Sequence, residues 1–234
     1  MIVFILGRTG SGKSTTARFL GEVARCLGWS VRSFNDYYFL RDMYLTDITH
    51  RFRPTENDGF EVLDLSVYET AIRLLAQQVR SYYYENKQTL ITVEFTSNNY
   101  REALRLFDSE LLRDARFLFL MADLNTCLER TSKRIVHKTT EDDYYVKDTV
   151  LLRHYPSPYM PLYIGENKVN YIHNMGSLEY LWNSILALTP TLLEQKVPKR
   201  AAVLAGKPTL SVAERFSLLW SNLELTWEHF ILHK

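Results

Sequence analysis

The stretch Gly7-Arg8-Thr9-Gly10-Ser11-Gly12-Lys13-Ser14 fits the phosphate-binding pattern G-x-x-x-x-G-K-[ST] at every fixed position. The apolar run 2–6 before it predicts a buried parallel strand, and a helical pattern begins at Ser14. In this arrangement the glycines let backbone N–H groups converge on phosphate oxygens, and the helix N-terminus adds partial positive charge. The sequence therefore predicts a site for a nucleoside triphosphate, and a chance glycine-rich turn is the alternative.

The predicted ligands of this loop are ATP and Mg²⁺. Lys13 is expected to reach the β- and γ-phosphates, and the hydroxyl of Ser14 is expected to bind Mg²⁺. The residues expected to contact ATP are those of the loop together with the residue that follows it, namely Gly7, Arg8, Thr9, Gly10, Ser11, Gly12, Lys13, Ser14 and Thr15.

The composition of the 234-residue chain is that of an ordinary globular protein, with 46% apolar and 24% charged residues. The formal charge of +1 predicts no general attraction to nucleic acid or to an anionic membrane, although a local basic patch stays open. Cys26 and Cys127 have no metal-type spacing, which is typical of reduced thiols in the cytoplasm. No apolar run approaches the ~20 residues of a membrane span, and the first strand leaves no room for a signal peptide. We therefore expect a cytoplasmic protein.

Strand and helix patterns alternate along most of the chain, which predicts an α/β fold with a parallel sheet of about five strands covered on both faces. The residues between the second strand and the next helix, 46–61, are polar and predict an irregular excursion. Strands are predicted at 2–6, 30–34, 89–93, 115–121 and 169–172, and the helices after the excursion at 63–84, 100–112, 125–135 and 177–188.

Two carboxylates follow predicted strands at the edge of the sheet where ligands of such folds bind. Asp36 comes after the second strand and could take the proton of an attacking hydroxyl, or it could be the N-cap of the next helix. Glu94 ends a buried strand, where an unpaired carboxylate is costly. Mg²⁺ or its bound water is the expected partner of Glu94, and a structural ion pair is the alternative.

Arg130 and Arg134 are four residues apart on one predicted helix and therefore share a face. They could clamp phosphate groups during transfer, or they could belong to a solvated helix face. The polar segment after them predicts a lid over about 130–160. The residues from Pro190 are expected to form an appended helical tail that packs on its own domain, with a homodimer contact or a partner surface as the alternative.

Several further segments resemble the nucleoside-kinase branch of the P-loop kinases, within the nucleoside monophosphate kinase-like group. The likeness runs discontinuously from about residue 2 to residue 155 and is greatest to uridine kinases and nicotinamide riboside kinases. Beyond the phosphate loop, its segments are Asp36-Tyr37-Tyr38-Phe39, Gly59-Phe60-Glu61-Val62-Leu63-Asp64, Glu94-Phe95, Cys127-Leu128-Glu129-Arg130-Thr131-Ser132-Lys133-Arg134 and Asp142-Asp143-Tyr144-Tyr145-Val146.

This resemblance implies a P-loop NTPase three-layer fold and roles for particular residues. It implies that Asp36 is the catalytic base, that Asp64 holds a substrate ribose, and that Arg130 and Arg134 lie on an arginine-rich lid helix. Tyr37 belongs to the substrate-binding segment after the base. The implied domain is 1–189, with 190–234 as a C-terminal helical extension outside the resemblance.

The predicted activity is therefore transfer of the γ-phosphate of ATP to a hydroxyl of a nucleoside-like small molecule. A kinase acting on a nucleotide or a nucleic-acid hydroxyl is the alternative, since polynucleotide 5′-kinases also place an Asp after the second strand. They typically carry an Arg three residues later, where this chain has Phe39. Arg41, or Arg53 within the cluster 50–53, could contact the substrate instead.

A nucleotide-operated switch or a motor-type ATPase is a lesser alternative. The third strand is not followed by the Asp-x-x-Gly of a GTPase, and Asn167-Lys168-Val169-Asn170 lacks the Asp that would read guanine. A motor ATPase would be expected to end that strand in Asp, where this chain has Glu94. The sequence leaves the identity of the acceptor and the oligomeric state open.

Overall fold

The computed structural model describes residues 1–55, 59–85, 89–136 and 169–193, with the side chains of 85 and 134–136 left out. Five strands form one parallel sheet in the order β2-β5-β1-β6-β7, and two short strands form a separate antiparallel pair. The strands are β1 (Ile2–Gly7), β2 (Ser30–Asn35), β3 (Phe52–Pro54), β4 (Phe60–Val62), β5 (Thr89–Phe95), β6 (Arg116–Met121) and β7 (Val169–His173). The prediction of a parallel sheet of about five strands is confirmed.

Helices connect these strands and cover the sheet. They are α1 (Lys13–Cys26), α2 (Tyr37–Leu45), α3 (Ser66–Glu85), α4 (Tyr100–Leu104), α5 (Ser109–Asp114), α6 (Leu124–Val136) and α7 (Leu178–Leu193). The last helix continues through Pro190 and ends five residues after the expected end at Leu188.

The central strand β1 is buried on both faces because its side chains alternate between two apolar clusters. Ile2, Phe4 and Leu6 pack on one side with residues of α3, α4 and α5. Val3 and Ile5 pack on the other side with residues of α1 and α7. This two-sided burial holds the C-terminal end of β1, and therefore the loop that follows it, at a fixed place on the sheet edge.

The excursion at 46–61, expected to be irregular, contains β3 and the start of β4. Phe52 and Phe60 are both buried, and their rings meet edge to face at 5.5 Å between centroids. They join Tyr37 of α2 and Val67 of α3 in a third apolar cluster. Burial of these aromatic side chains explains why the polar excursion forms regular structure, because the short strands place both rings on one side.

The single helix expected over 100–112 is two short helices, α4 and α5. Asp108 lies between them in an extended conformation, and its Oδ1 accepts a hydrogen bond of 2.8 Å from the backbone N–H of Glu110. An N-cap of this kind begins a new helix. The residues that the apolar pattern predicted to form a single helix are therefore divided between α4 and α5.

Two expected regions lie largely outside the described residues. These are the lid over 130–160, of which only 130–136 is described, and the tail 190–234, of which only 190–193 is described. Among the described residues, no helix is both long enough and apolar enough to cross a membrane.

Candidate active site

The phosphate loop follows β1 in a conformation that requires glycine at two positions. Gly10 and Gly12 have φ angles of +83° and +98°. A Cβ atom at Gly10 would lie 2.6 Å from the backbone oxygen of Cys127, and one at Gly12 would lie 2.5 Å from Nδ2 of Asn174. The loop is therefore packed tightly between α6 and the segment that joins β7 to α7.

Two buried side chains from distant parts of the chain hold this loop. The hydroxyl of Tyr100 donates to the backbone oxygen of Gly7 at 2.9 Å and accepts from its N–H at 3.0 Å. Nδ2 of Asn174 donates to the backbone oxygen of Ser11 at 2.7 Å. Burial raises the pKa of Tyr100, so its hydroxyl stays protonated as these contacts require. Neither residue was predicted from the sequence, because only the fold brings them to the loop.

Lys13 turns back toward the loop that precedes it. Its Nζ donates to the backbone oxygens of Gly7 at 3.0 Å and Arg8 at 3.1 Å, and to Oγ1 of Thr96 at 2.7 Å. The ammonium group thus lies at the C-terminal ends of β1 and β5, where the phosphates of a bound triphosphate are expected. The contact of Lys13 with the β- and γ-phosphates stays a prediction.

Ser14 and Glu94 lie together although they are 80 residues apart. The hydroxyl of Ser14 donates to Oε2 of Glu94 at 2.8 Å, and Glu94 is only 6% exposed. A hydroxyl beside a carboxylate suits Mg²⁺, which prefers oxygen ligands and usually keeps several waters and phosphate oxygens. Among the described residues no group of three His, Cys, Asp or Glu could hold a metal alone. The pair therefore fits a Mg²⁺ ion that arrives with nucleotide phosphates.

Asp36 lies between β2 and α2, next to the same strand edge. Its Oδ2 accepts from the backbone N–H of Thr96 at 3.3 Å. Burial raises the pKa of Asp36 to about 6, while the charge of Lys13 and the N–H of Thr96 oppose the rise. Asp36 occupies the N-cap position of α2, but its side chain makes no capping hydrogen bond there. This geometry leaves its carboxylate for a role other than helix capping.

Arg130 links α6 to the segment after β7. Its Nη1 donates to the backbone oxygen of Asn174 at 2.9 Å, and its Nη2 to that of Gly176 at 3.5 Å. Because Asn174 also holds the phosphate loop, Arg130 is linked to that loop through Asn174. The side chain of Arg134 lies outside the described residues.

The residues predicted to bind the acceptor lie on and around the small antiparallel sheet. Tyr37 is buried, with its ring stacked 6.0 Å from that of Phe60. Arg53 forms an ion pair with Glu61 across the two strands. Arg41 is exposed on α2. Tyr37 and Arg41 thus belong to α2 and Arg53 to the small sheet, and the stacked rings of Tyr37 and Phe60 join the helix to that sheet.

Asp64 precedes α3 and is exposed. Its Oδ1 accepts from the backbone N–H of Ser66 at 2.9 Å, a bond that holds the pKa of Asp64 below its usual value. Asp64 lies at the start of this helix, as the sequence predicted, and its side chain contacts the helix N-terminus.

A cavity of about 330 Å³ opens beside Thr96, between α3 and the segment 96–106. Thr96 lines it and also contacts both Lys13 and Asp36. The cavity therefore lies next to the point where the predicted phosphate site and the predicted base meet. Ligand pockets of proteins begin at about this size.

Comparison with known proteins gives one family and a set of similar folds. A family model described as AAA domain matches residues 3–148. No curated protein matches the sequence.

Two solved structures illustrate the likeness in fold. The APS kinase of Mycobacterium tuberculosis, in complex with AMPPNP and APS, has a TM-score of 0.54 and 17% identity, covering 83% of this chain and 97% of its own. An unliganded sugar kinase from Janibacter sp. has a TM-score of 0.52 and 16% identity, covering 82% of this chain and 94% of its own.

The matched residues contain the phosphate loop, Asp36, Glu94 and Arg130. The narrower likeness to uridine and nicotinamide riboside kinases stays a prediction. Because the model matches residues 3–148 of the 234, the chain belongs to the AAA domain family, and its fold is that of the P-loop kinases.

Proposed function

We propose that this protein is an ATP-dependent phosphotransferase that moves the γ-phosphate of ATP to a hydroxyl of a nucleoside-like small molecule. The observation that carries this proposal is the convergence of Lys13 and Asp36 on Thr96, which binds Nζ of Lys13 through Oγ1 and the carboxylate of Asp36 through its N–H. A cation for the phosphates and a carboxylate for the acceptor are thereby held by one residue.

On the donor side, the loop binds ATP through its backbone N–H groups, and Lys13 exchanges its present contacts with carbonyl oxygens for phosphate oxygens. Ser14 and Glu94 would hold Mg²⁺, directly or through water, and the ion supplies charge neutralisation on the phosphates when bound. Tyr100 and Asn174 keep the loop in place during this exchange.

On the acceptor side, Asp36 takes the proton. The attacking hydroxyl oxygen forms a bond to the γ-phosphorus, the bond from that phosphorus to the β–γ bridging oxygen breaks, and ADP leaves. The hydroxyl proton passes to the carboxylate of Asp36. With a pKa of about 6, this carboxylate is ionised at neutral pH and is a stronger base than an ordinary aspartate.

Arg130 and Arg134 are proposed to neutralise charge on the transferring group when the lid segment closes. Support comes from the contact of Arg130 with the backbone of Asn174, the residue that also binds the phosphate loop. To reach a phosphate, Arg130 must exchange these carbonyl contacts for anionic oxygens, which form the stronger bond.

Asp64 is proposed to bind two adjacent hydroxyls of the acceptor sugar, which a carboxylate can accept together. Two of the similar solved structures are a sugar kinase and an APS kinase, which supports a small-molecule acceptor. The cluster that favoured a nucleic-acid acceptor offers less support, since Phe52 is buried and Arg51 and Arg53 lie in ion pairs with Asp47 and Glu61.

The test is ADP formation from ATP and Mg²⁺ with and without a panel of nucleosides, sugars and short oligonucleotides. A kinase forms ADP rapidly only with its acceptor, and nucleosides or sugars are expected to be the effective ones. ADP formation at the same rate without any acceptor would identify an ATPase instead. Fastest turnover with oligonucleotides would favour the nucleic-acid alternative.

The role of Asp64 has a separate test. Asp64→Asn keeps an oxygen for the N–H of Ser66, so α3 should keep its cap. We expect a raised KM for the acceptor with kcat nearly unchanged, since the amide accepts hydroxyls less strongly than the carboxylate. Asp108→Asn, which alters the equivalent cap of α5, is the matched control. An unchanged KM would restrict Asp64 to capping.

A further inference from the structure

The cavity beside Thr96 has a composition that restricts what it can hold. Its walls combine apolar side chains with amide, hydroxyl and charged groups, which is the mixture that orients a polar ligand on an apolar surface. The described residues that line it are Leu65, Tyr68, Glu69, Ile72, Thr96, Ser97, Asn98, Asn99, Glu102, Ala103, Arg105 and Leu106.

The cavity adjoins the proposed base at Thr96, and Tyr68 lines it from α3. Tyr68 is partly buried. Burial raises the pKa of its hydroxyl to about 12, and the negative charges of Asp36 and Glu61 add to the rise. The geometric link between the cavity and Asp36 is Thr96, which lines the cavity and donates from its backbone N–H to Oδ2 of Asp36 at 3.3 Å.

Every charged residue among the described lining is already paired. Arg105 donates from Nη1 to both carboxylate oxygens of Glu102, at 2.7 and 2.9 Å. Glu69 forms an ion pair of 2.7 Å with Arg73, which lies one helical turn away on α3. An anionic ligand would therefore enter a cavity whose one described lining cation is paired with a carboxylate, and whose lining residue Thr96 contacts the carboxylate of Asp36.

The hydroxyl groups of an uncharged ligand can bind in this cavity without needing a cation that is already paired. Ser97 and Asn98 contribute a hydroxyl and an amide to the lining, and the phenol of Tyr68 adds a donor that stays protonated at neutral pH. These groups can donate to and accept from a polyol without separating an ion pair.

We propose that this cavity is the acceptor site and that it takes an uncharged, polyhydroxylated molecule while rejecting anionic ones, with Tyr68 positioning the acceptor hydroxyl toward Asp36. This proposal rests on the proposed function and narrows its acceptor to molecules of about the size of a sugar ring or a nucleoside. Phosphorylated sugars, nucleotides and sugar acids are disfavoured, because the described lining carries two carboxylates against one arginine that is already paired.

The first experiment compares uncharged acceptors with anionic partners of the same skeleton, a nucleoside with its 5′-monophosphate and a sugar with its aldonate or uronate. The readout is kcat/KM from ADP formation. We expect the uncharged member of each effective pair to be preferred by at least about tenfold, corresponding to about 1.4 kcal/mol. Equal or better turnover of the anionic member would overturn the proposed selectivity while leaving the kinase activity intact.

Glu102→Gln tests the source of the selectivity, because it removes one carboxylate and releases Arg105. Turnover of the anionic partner should rise relative to that of the uncharged one. The matched control is Glu22→Gln, which breaks the corresponding Glu–Arg pair with Arg25 on α1. If the wild type and Glu102→Gln prefer the uncharged acceptor by the same factor, the proposed role of the Glu102–Arg105 pair is contradicted.

Tyr68→Phe tests the position of the site, with Tyr84→Phe on the exposed part of the same helix as control. We expect a higher KM for the acceptor, an unchanged KM for ATP, and a smaller thermal shift by the acceptor without nucleotide. An unchanged acceptor KM and thermal shift would place the acceptor elsewhere. A further outcome is that acceptors raise the unfolding temperature of the wild type but not that of Tyr68→Phe, while no acceptor accelerates ADP formation. In that case the cavity is a binding site and the proposed function fails.

Discussion

The phosphate loop and the proposed acceptor cavity beside Thr96 lie on the same edge of the sheet but are held by different kinds of contact. The loop is fixed by buried hydrogen bonds from Tyr100 and Asn174, which are 93 and 163 residues away from their partners in the chain. The cavity side is bordered by exposed ion pairs between residues close in sequence, such as Arg105 with Glu102 and Arg73 with Glu69.

This difference has an energetic meaning. Loss of one partner from a buried hydrogen bond costs about 1–3 kcal/mol, whereas an exposed ion pair contributes about 0–1 kcal/mol. The phosphate site is therefore part of the folded core, and changes there affect stability together with activity. The acceptor side can change its charges at little cost in stability, so its side chains can determine which acceptor fits.

The largest expected effect is that of Lys13→Ala on the phosphate side. Loss of a cation that stabilises the transferring phosphate should lower kcat by about 10³–10⁵-fold, the range that removal of a positioned arginine covers in such reactions. The measurement is ADP formation with acceptor, with thermal unfolding to confirm that the fold is retained. Arg25→Ala on α1 is the control, and wild-type turnover by Lys13→Ala would refute the assignment of the loop.

Asp36→Asn should have the next largest effect, because Asp36 is the proposed base and lies between the phosphate loop and the cavity. The amide keeps the shape but cannot take a proton, so kcat should fall by about 10²–10⁴-fold while the affinity for ATP changes little. Asp114→Asn, at an exposed aspartate of α5, serves as the control. If Asp36→Asn keeps most of its turnover, the carboxylate is not the base and the mechanism proposed above fails.

Arg130→Ala should lower kcat by more than tenfold, or about 1.4 kcal/mol, if the arginine neutralises charge on the transferring group. Arg113→Ala, an exposed arginine of α5, provides the comparison. Hydrogen exchange of the lid segment, followed with and without an ATP analogue and acceptor, checks the proposed closure. Equal protection in both states would contradict it.

A pair of stability measurements tests the comparison itself. Asn174→Ala removes the bond to Ser11 and should lower the free energy of unfolding by about 1–3 kcal/mol. Arg73→Ala removes the exposed ion pair with Glu69 and should change it by less than about 1 kcal/mol. Urea titrations of both variants provide the values, and similar losses would mean that the two sides are held equally.

The smallest expected effect on activity concerns pH. Because Asp36 acts as a base only when deprotonated, kcat/KM should be constant above its pKa of about 6 and fall as the pH drops through that value. At pH 5 the loss should be about tenfold. Asp36→Asn should lose this dependence, and a profile that stays flat down to pH 5 in the wild type would contradict the assignment of the base.

The sequence was sufficient for the parts of the fold that depend on local pattern. The apolar alternation of β1 and the glycine spacing of the loop predicted the strand, the turn and the start of α1, all of which the structure confirms. The proximity of Ser14 and Glu94 was also predictable, because Glu94 lies near the C-terminal end of β5 and Ser14 in the helix after β1, and the C-terminal ends of these parallel strands meet at one edge.

The contacts of Tyr100 and Asn174 could not be predicted, since nothing local distinguishes them from other polar residues of turns and helix starts. β3 and β4 could not be predicted either. The polar composition of 46–61 indicated an irregular segment, and Phe52 and Phe60 come into contact only after folding. The cavity was missed for a related reason, because α3 and the segment 96–106 contribute its walls from separate parts of the chain.

The double attachment of Thr96 also bears on how accurately two reactants can be aligned in a moving protein. Its hydroxyl and its N–H hold Lys13 and Asp36, so a shift of the end of β5 carries both in the same direction. Such common displacement leaves the separation of the two groups almost unchanged. Thermal motion of this sheet edge is therefore expected to move the reaction site as a unit, and to disturb the approach of hydroxyl to phosphorus less than independent motion of two loops would.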